Sequence, residues 1–535
     1  MNAQPSLRTC ARLLPAALLA LAACGDDAGG GDAAPDAADT ASSDGADATT
    51  EVDADTTPDV APDTTLGDDV YGPHAPPTTA TPDARKGAVW PAHWQTDLEP
   101  FWTSSAALGT PVGNYPTYRT MTGAPAANTK RRPRMISRQI YAYVVGYQLT
   151  GDPALLDDAQ AGVTWLRDHA IDRTHGGCFT ELAADGSALD SDRTAQDQAY
   201  CMLGLAAWVY LTRDPAAEAD LLAGHALLFD PTKFWDASHG RIKDGLDKTL
   251  TNEIDVDNNG GSELVAQLDP INGFMLLSQP VLAAQADQDQ FLTDLRTLGQ
   301  AMIRDFDQDG IIWGVSSKKG QYGSSHADFG HALKALWMLL QIDKRHDDHP
   351  FHDYVAAHAD TLLGRAFDTT NGRWAKRYSS ATGVEYGNDW WIAAEEDQFA
   401  ATLDLTDGRY DAILGQTQAH WLATTPTRST PARSSSVKRD GSPVYPWPAG
   451  DTAKCNEWKN GYHSSEHALV MAMLGDRREG KEVTLHFAVP VADVETFVAT
   501  PYIFLGRELG REAGATHEVG GRVLQDVTVR FADLY

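Results

Sequence analysis

Cysteine is scarce in this chain: there are five in 535 residues, and no two are spaced as C-x-x-C. That absence argues against a zinc or dithiol redox site. No glycine-rich phosphate loop is evident, so nucleotide chemistry lacks its usual cradle. Basic residues are few, 43 Lys and Arg against 74 Asp and Glu, giving a net charge of −31. A nucleic-acid partner wants a basic face, and this balance excludes one. Residues 25–70 lack Lys, Arg and every aromatic, yet carry fourteen of the acids. Such a segment cannot bury enough apolar surface to offset its ordering entropy, and it reads as a disordered, self-repelling tether.

Ahead of the tether, Arg8 and Arg12 precede the apolar residues 13–23, a stretch too short to span a bilayer permanently. It ends in Leu21-Ala22-Ala23-Cys24, which resembles the lipobox of bacterial lipoproteins. The resemblance implies lipidation at Cys24, export to the bacterial cell envelope, and contact with the membrane through the lipid anchor only. The expected divisions are a signal peptide over 1–23, the tether over 24–88, a helical body over 89–480 and a β-rich extension over 481–535. Three cysteines stay in the body, and a bridge between Cys178 and Cys201 suits an oxidising compartment.

From about Trp90 the text becomes helical and repetitive. The segments 135–149 and 196–211 are apolar, and each stops just before an Asp-Pro, at Asp152-Pro153 and Asp214-Pro215, 62 residues apart. Proline opens a helix at its first turn, where its missing N–H is not needed. A second mark, Asp172…His175-Gly176, returns as Asp236…His239-Gly240 and Asp368…Asn371-Gly372. These read as turns, because glycine supplies positive φ. Asp305-Phe-Asp307-Gln-Asp309-Gly310 opens like a calcium loop but has Ser316 where the bidentate Glu belongs, and Asp255-Val-Asp257-Asn-Asn259-Gly260 also lacks it. Both read as turns; no metal and no cofactor is expected. Further hairpins near 262–304, 325–366, 389–424 and from Tyr462 bring the count to six. The expected fold is all-α, an (α/α)6 barrel, with strands in 482–491 and 522–535 forming a small C-terminal appendage.

Two helix starts carry the chemistry. In residues 322–340, His331, Lys334 and Trp337 fall at i, i+3 and i+6, and are expected to border one pocket. From Trp458 onward, His463 starts a helix with Glu466 one turn on.

Together with Ser137-Arg138-Gln139-Ile140-Tyr141, His175-Gly176-Gly177, Gln196-Asp197-Gln198-Ala199-Tyr200, Gly330-His331 with Trp337, Trp390-Trp391-Ile392-Ala393-Ala394-Glu395 and Trp458-Lys459 with Tyr462-His463, the body over about 95–475 resembles the N-acylglucosamine 2-epimerase family. That family includes cellobiose 2-epimerases and related aldose–ketose isomerases. The resemblance implies an (α/α)6 barrel and a sugar 2-epimerase or isomerase in which His331 and His463 transfer the carbon-2 proton from opposite walls. It also implies that Arg138 steadies the enediolate. Trp337, Trp390 and Trp391 are expected to stack on sugar rings, and Glu395 to take a hydroxyl or orient a neighbour.

The chain departs from the family in three places. Lys334 stands where the family has Glu, and Glu466 where it usually has Arg, which suggests a charge swap across the pocket. The third hairpin lacks the family's histidine; Asp269 or Asn272 is the expected stand-in, with His326 as a spare imidazole. The altered shell keeps two other readings in view. One is a glycan-cleaving hydrolase or lyase using Glu395 and Asp269; the other is a non-catalytic glycan-binding lipoprotein.

Overall fold

The computed structural model describes residues 83–424 and 453–535 apart from residues 121 and 190, together with residues 436, 437 and 439. The expected signal peptide, Cys24 and nearly all of the tether lie outside the described residues.

Among the described residues the barrel is built by α1 Val89–His93, α2 Pro133–Thr150, α3 Pro153–His169, α4 Ala195–Thr212, α5 Pro215–Leu228, α6 Val265–Pro270, α7 Gln285–Phe306, α8 Phe329–Asp343, α9 His352–Ala366, α10 Trp390–Asp407, α11 Asp411–Thr424 and α12 Tyr462–Arg478, with shorter helical turns between them. The even-numbered helices form an inner ring. Contacts run from α2 to α4, α4 to α6, α8 to α10, α10 to α12 and α12 back to α2, while α7 bridges α6 and α8. This is an (α/α)6 barrel. Among the described residues no helix is long and apolar enough to cross a membrane.

The punctuation works as its chemistry demands. Asp152 accepts from the Ala154 N–H, and Asp214 from the N–H groups of Ala216 and Ala217, while Pro153 and Pro215 open α3 and α5. The repeated Asp-x-x-x-Gly marks are side-chain-capped turns. Asp172, Asp236 and Asp368 each accept from the backbone N–H two residues on. Asp305 is taken up by Arg304 and Arg241, and Asp307 by the Tyr354 hydroxyl. Both acids thus have partners within the fold.

Two elements depart from the sequence pattern. The sixth hairpin is not completed after Tyr462: α12 takes α1, from the other end of the barrel sequence, as its outer partner. Gly87 and Gly475 allow this close approach. A Cβ on Gly475 would lie 2.5 Å from the Gly87 nitrogen. In the third hairpin, Pro270 lacks an N–H to continue α6, and the helix widens into a π-turn over Ile271–Met275.

Beyond α12 lies an antiparallel sheet of β1 Val483–Pro490, β2 Arg507–Val519 and β3 Arg522–Ala532, with β3 central. Strands β1 and β3 stand where expected; burial alternates in β1 only up to Phe487, since Ala488 and Val489 are buried as well. Strand β2 was not expected, because it is a polar, largely exposed edge without β-branched alternation. The sheet covers the barrel end where α2 and α4 finish: the Tyr147 hydroxyl donates to Asp526, and the Tyr210 hydroxyl to the Thr500 carbonyl. Cys178 and Cys201 form a disulfide, while Cys455 is a buried free thiol.

Candidate active site

Inner helices of an alternating barrel all start at one end, so their positive dipole ends converge there. Near that end the N-terminal residues of α2, α4, α8, α10 and α12 line a pocket, open in part to solvent, that spans about 350 Å³ of space free of atoms. His331 and His463 both line it, together with Arg138, Lys334, Trp390 and Trp391.

Each imidazole is oriented by a carboxylate. Asp328 caps α8: one oxygen accepts from the His331 backbone N–H at 2.8 Å, and the other lies 2.7 Å from His331 Nδ1. His463 Nδ1 lies 3.1 Å from Glu395 Oε1. A carboxylate at Nδ1 holds the proton there, so the neutral ring carries its lone pair on Nε2. The Trp391 ring lies 4.8 Å from His331 and 5.9 Å from His463, centre to centre. Gly330 lets it come so near, since a Cβ there would meet the indole at 2.8 Å. α10, which carries Trp391, stands between α8 and α12 in the ring, so the two imidazoles reach the cavity from either side of the Trp391 ring.

Beneath the imidazoles lies a buried ionic group. Lys334 Nζ is 3.6 Å from Asp269 Oδ1, 3.7 Å from Glu395 Oε1 and 3.5 Å from the Tyr200 hydroxyl. Burial works against its charge, but Tyr200, Glu395, Asp269 and Glu466 outweigh that and hold the ammonium charged. Glu395 is pushed up by burial, opposed by Lys334. Glu466 is pushed up to about 8 by burial and by Glu395. Donor atoms of Glu395, His463 and Glu466 fall within 4.8 Å of one another, a spacing that could suit a metal. Lys334 already supplies a cation there.

The charge swap therefore takes another form. The direct ion pairs of Lys334 are with Asp269 and Glu395, and Glu466 is joined to it only through the field of the group. Trp337 does not border the cavity. It is fully buried against Phe504, because six residues of helix carry it about 9 Å down the axis and round to another face. Asp269, Glu395 and Glu466 stand behind the cavity lining. Asn272 donates to the Tyr462 hydroxyl, and His326 packs edge-on against His331 with Glu263 4.0 Å from its Nε2. None of these five side chains lines the cavity.

Arg138 does line it. Its guanidinium lies 3.8 Å over the Tyr200 ring and donates to the Trp458 carbonyl, and its Nε has no hydrogen-bond partner among the described residues. The contrast with Arg134, paired to Asp197 at 3.1 Å, is instructive: Arg138 makes no ion pair with any described carboxylate. The indole N–H groups of Trp390, Trp391 and Trp458 likewise lack partners among the described residues. Buried donors left unpaired call for an explanation, and a polyhydroxylated or anionic ligand provides one. A larger cavity, about 1080 Å³, opens on the far side of Trp390 between Trp374, Trp421 and Phe101.

Sequence reasoning missed Tyr200, Trp458 and Asp328 as site residues. Asp328 was legible as an N-cap three residues before His331. Tyr200 and Trp458 sat inside quoted motifs without any pattern marking them as lining.

The sequence matches, over residues 115–452, the family model described as N-acylglucosamine 2-epimerase (GlcNAc 2-epimerase). Among solved structures, the cellobiose 2-epimerase from Spirochaeta thermophila is 18% identical, covering 75% of this chain and 99% of its own, with a TM-score of 0.62. The cellobiose 2-epimerase from Bacillus thermoamylovorans is 14% identical over 72% and 98%, with a TM-score of 0.60. A D-mannose isomerase is 16% identical over 73% and 99%, with a TM-score of 0.61. At these identities the structural likeness speaks for the fold.

Proposed function

This chain belongs to the N-acylglucosamine 2-epimerase family, and from that premise we propose that it epimerises or isomerises a reducing sugar by proton transfer at carbon 2. The observation that carries the reading is a single cavity holding two carboxylate-oriented imidazoles and an arginine without a carboxylate partner among the described residues. With the sugar in its open-chain form, one imidazole Nε2 takes the proton from carbon 2. The electron pair moves toward the carbonyl oxygen and forms an enediolate. Arg138, with the converging helix ends, offsets the new negative charge. The other imidazolium returns a proton to carbon 2 and gives the epimer; return at carbon 1, with the O2 proton passing to O1, gives the ketose. The unpaired indole N–H groups supply donors for hydroxyls, and the chamber beyond Trp390 leaves space for a further ring of an oligosaccharide.

The cleavage reading gains no support from this geometry. Glu395 and Asp269 both pair with the one Lys334 ammonium, and neither lines the cavity where a glycosidic bond would sit. The test is incubation with candidate aldoses in D₂O followed by NMR. Deuterium at carbon 2 of the epimer, or at carbon 1 of the ketose, is the expected result. New reducing ends would replace the proposal with hydrolysis, and an unchanged spectrum across aldoses and their disaccharides would leave a binding protein.

Export and lipid anchoring form part of the same proposal, supported by the Leu21-Ala22-Ala23-Cys24 pattern and the Cys178–Cys201 disulfide. In a bacterial host the full chain should partition with membranes and the Cys24→Ala variant should not. Equal partitioning of the two would remove Cys24 as the anchor.

A further inference from the structure

The C-terminal sheet and the segment 491–506 that joins β1 to β2 lie beyond the residues that match the family model. One side chain of that segment reaches into the barrel. The Tyr502 hydroxyl donates to Glu466 Oε1 at 2.5 Å and accepts from the Tyr141 hydroxyl at 2.9 Å. Tyr502 holds φ +59°, a left-handed backbone that a bulky side chain rarely adopts. Several contacts keep it there. Its own N–H donates to the Tyr210 hydroxyl at 2.9 Å, the neighbouring Ile503 carbonyl accepts from Arg345, and Phe504 packs under Trp337. The loop is thus fixed to α4, α8 and the following turn, and its tyrosine is held against α12.

We propose that Tyr502 is a positioning residue for His463, acting through Glu466 and Glu395, so that the C-terminal extension tunes the acid–base chemistry of the barrel it closes. The path is short and fully buried. Glu466 lies beside Glu395, and Glu395 Oε1 lies 3.1 Å from His463 Nδ1. Two adjoining buried carboxyls do not both ionise readily, and the pair holds a proton between them near neutral pH. A hydroxyl donated to Glu466 stabilises the anion there and so draws the shared proton part of the way toward Glu395. Removing it confines the proton to Glu466 and leaves the full charge on Glu395, directly against His463. The other groups facing the pair are Tyr141 from α2, Lys334 from α8, Gln398 from α10 and Tyr462 from α12, with Asp269 and His331 acting on Glu395 from further round the ring. A Tyr502→Phe exchange removes the acceptor of the Tyr141 hydroxyl and leaves the others in place.

The inference rests on the proposed proton-transfer role of His463, and its test separates the two. In the full-length Tyr502→Phe variant, the His463 ring is titrated by ¹⁵N-histidine NMR without substrate, with a His463→Gln variant to assign the signal. The expected result is an upward move of the His463 titration by about half a pH unit or more, as expected when a negative charge settles beside an imidazole. The carbon-2 exchange profile should move in the same direction. Phe504→Leu serves as the structural control, since it loosens the same loop without removing the hydroxyl, and it should leave the titration in place. A His463 titration that coincides in Tyr502→Phe and the native protein would overturn the inference, as would an equal move in Phe504→Leu. A moved titration in a protein that exchanges no sugar proton would sustain the positioning contact and overturn the proposed function instead.

Discussion

Replacing His331 or His463 by Asn should cut carbon-2 epimerisation by about 10² to 10⁴-fold, the usual contribution of a positioned acid–base group. The two variants should fall together. Epimerisation removes a proton from one face of the carbon and restores it on the other, so neither imidazole can substitute for its partner. Each ring is aligned by its own carboxylate, Asp328 for His331 and Glu395 for His463. Coupled assays in both directions, with deuterium content followed at carbon 2, give the measurement. Aldose–ketose interconversion moves a proton between neighbouring carbons on one face, which a single imidazole can manage. Retention of ketose formation by one of the variants would therefore mark the reaction as isomerisation and assign both transfers to the surviving histidine. Near-native epimerisation in either variant would remove that histidine from the mechanism.

Lys334→Met should be the most destabilising single change at the site, with a loss of about 3–5 kcal/mol at neutral pH, the range for a buried ion pair deprived of one partner. Lys334, Asp269 and Glu395 are all at most 2% exposed, so water offers the stranded carboxylates no relief. The sign with pH follows from linkage. The ammonium's affinity for its proton is raised in the folded state, so its contribution is complete below the ordinary lysine value of 10.5 and is lost only above it. In the variant, Glu395, already pushed up by burial, and Asp269 must take up protons or remain as unpaired charges. The deficit should therefore be largest at neutral and alkaline pH and should shrink toward pH 5 as protons replace the missing cation. Urea unfolding of both proteins at several pH values measures this. A deficit below about 1 kcal/mol, or one independent of pH, would mean that the group is not held together by the lysine.

Much of the barrel could be read from short-range signals. Apolar helix faces, Asp-Pro starts and Asp-x-x-x-Gly turns act within a few residues, and each appears in the structure at the place its chemistry predicts. Other features depend on which distant segments meet. The partner of α12 is α1, separated from it by nearly the whole barrel sequence, and only the Gly87–Gly475 approach reveals the match. The edge strand β2 has no pattern of its own and exists because β3 offers it a ladder.

The site divides the same way. The sequence by itself determined that His331, His463, Arg138, Trp390 and Trp391 would stand near inner-helix starts, because position along a helix follows from a 3.6-residue period and its caps. Only the tertiary structure decided what those groups face. Ring closure set Lys334 on Asp269 and Glu395 rather than on Glu466, turned Trp337 onto Phe504, and brought Tyr502 up to Glu466. Pairings of that kind depend on the relative rotation of separate helices and on a floor supplied by the last fifty residues. No local period encodes either one.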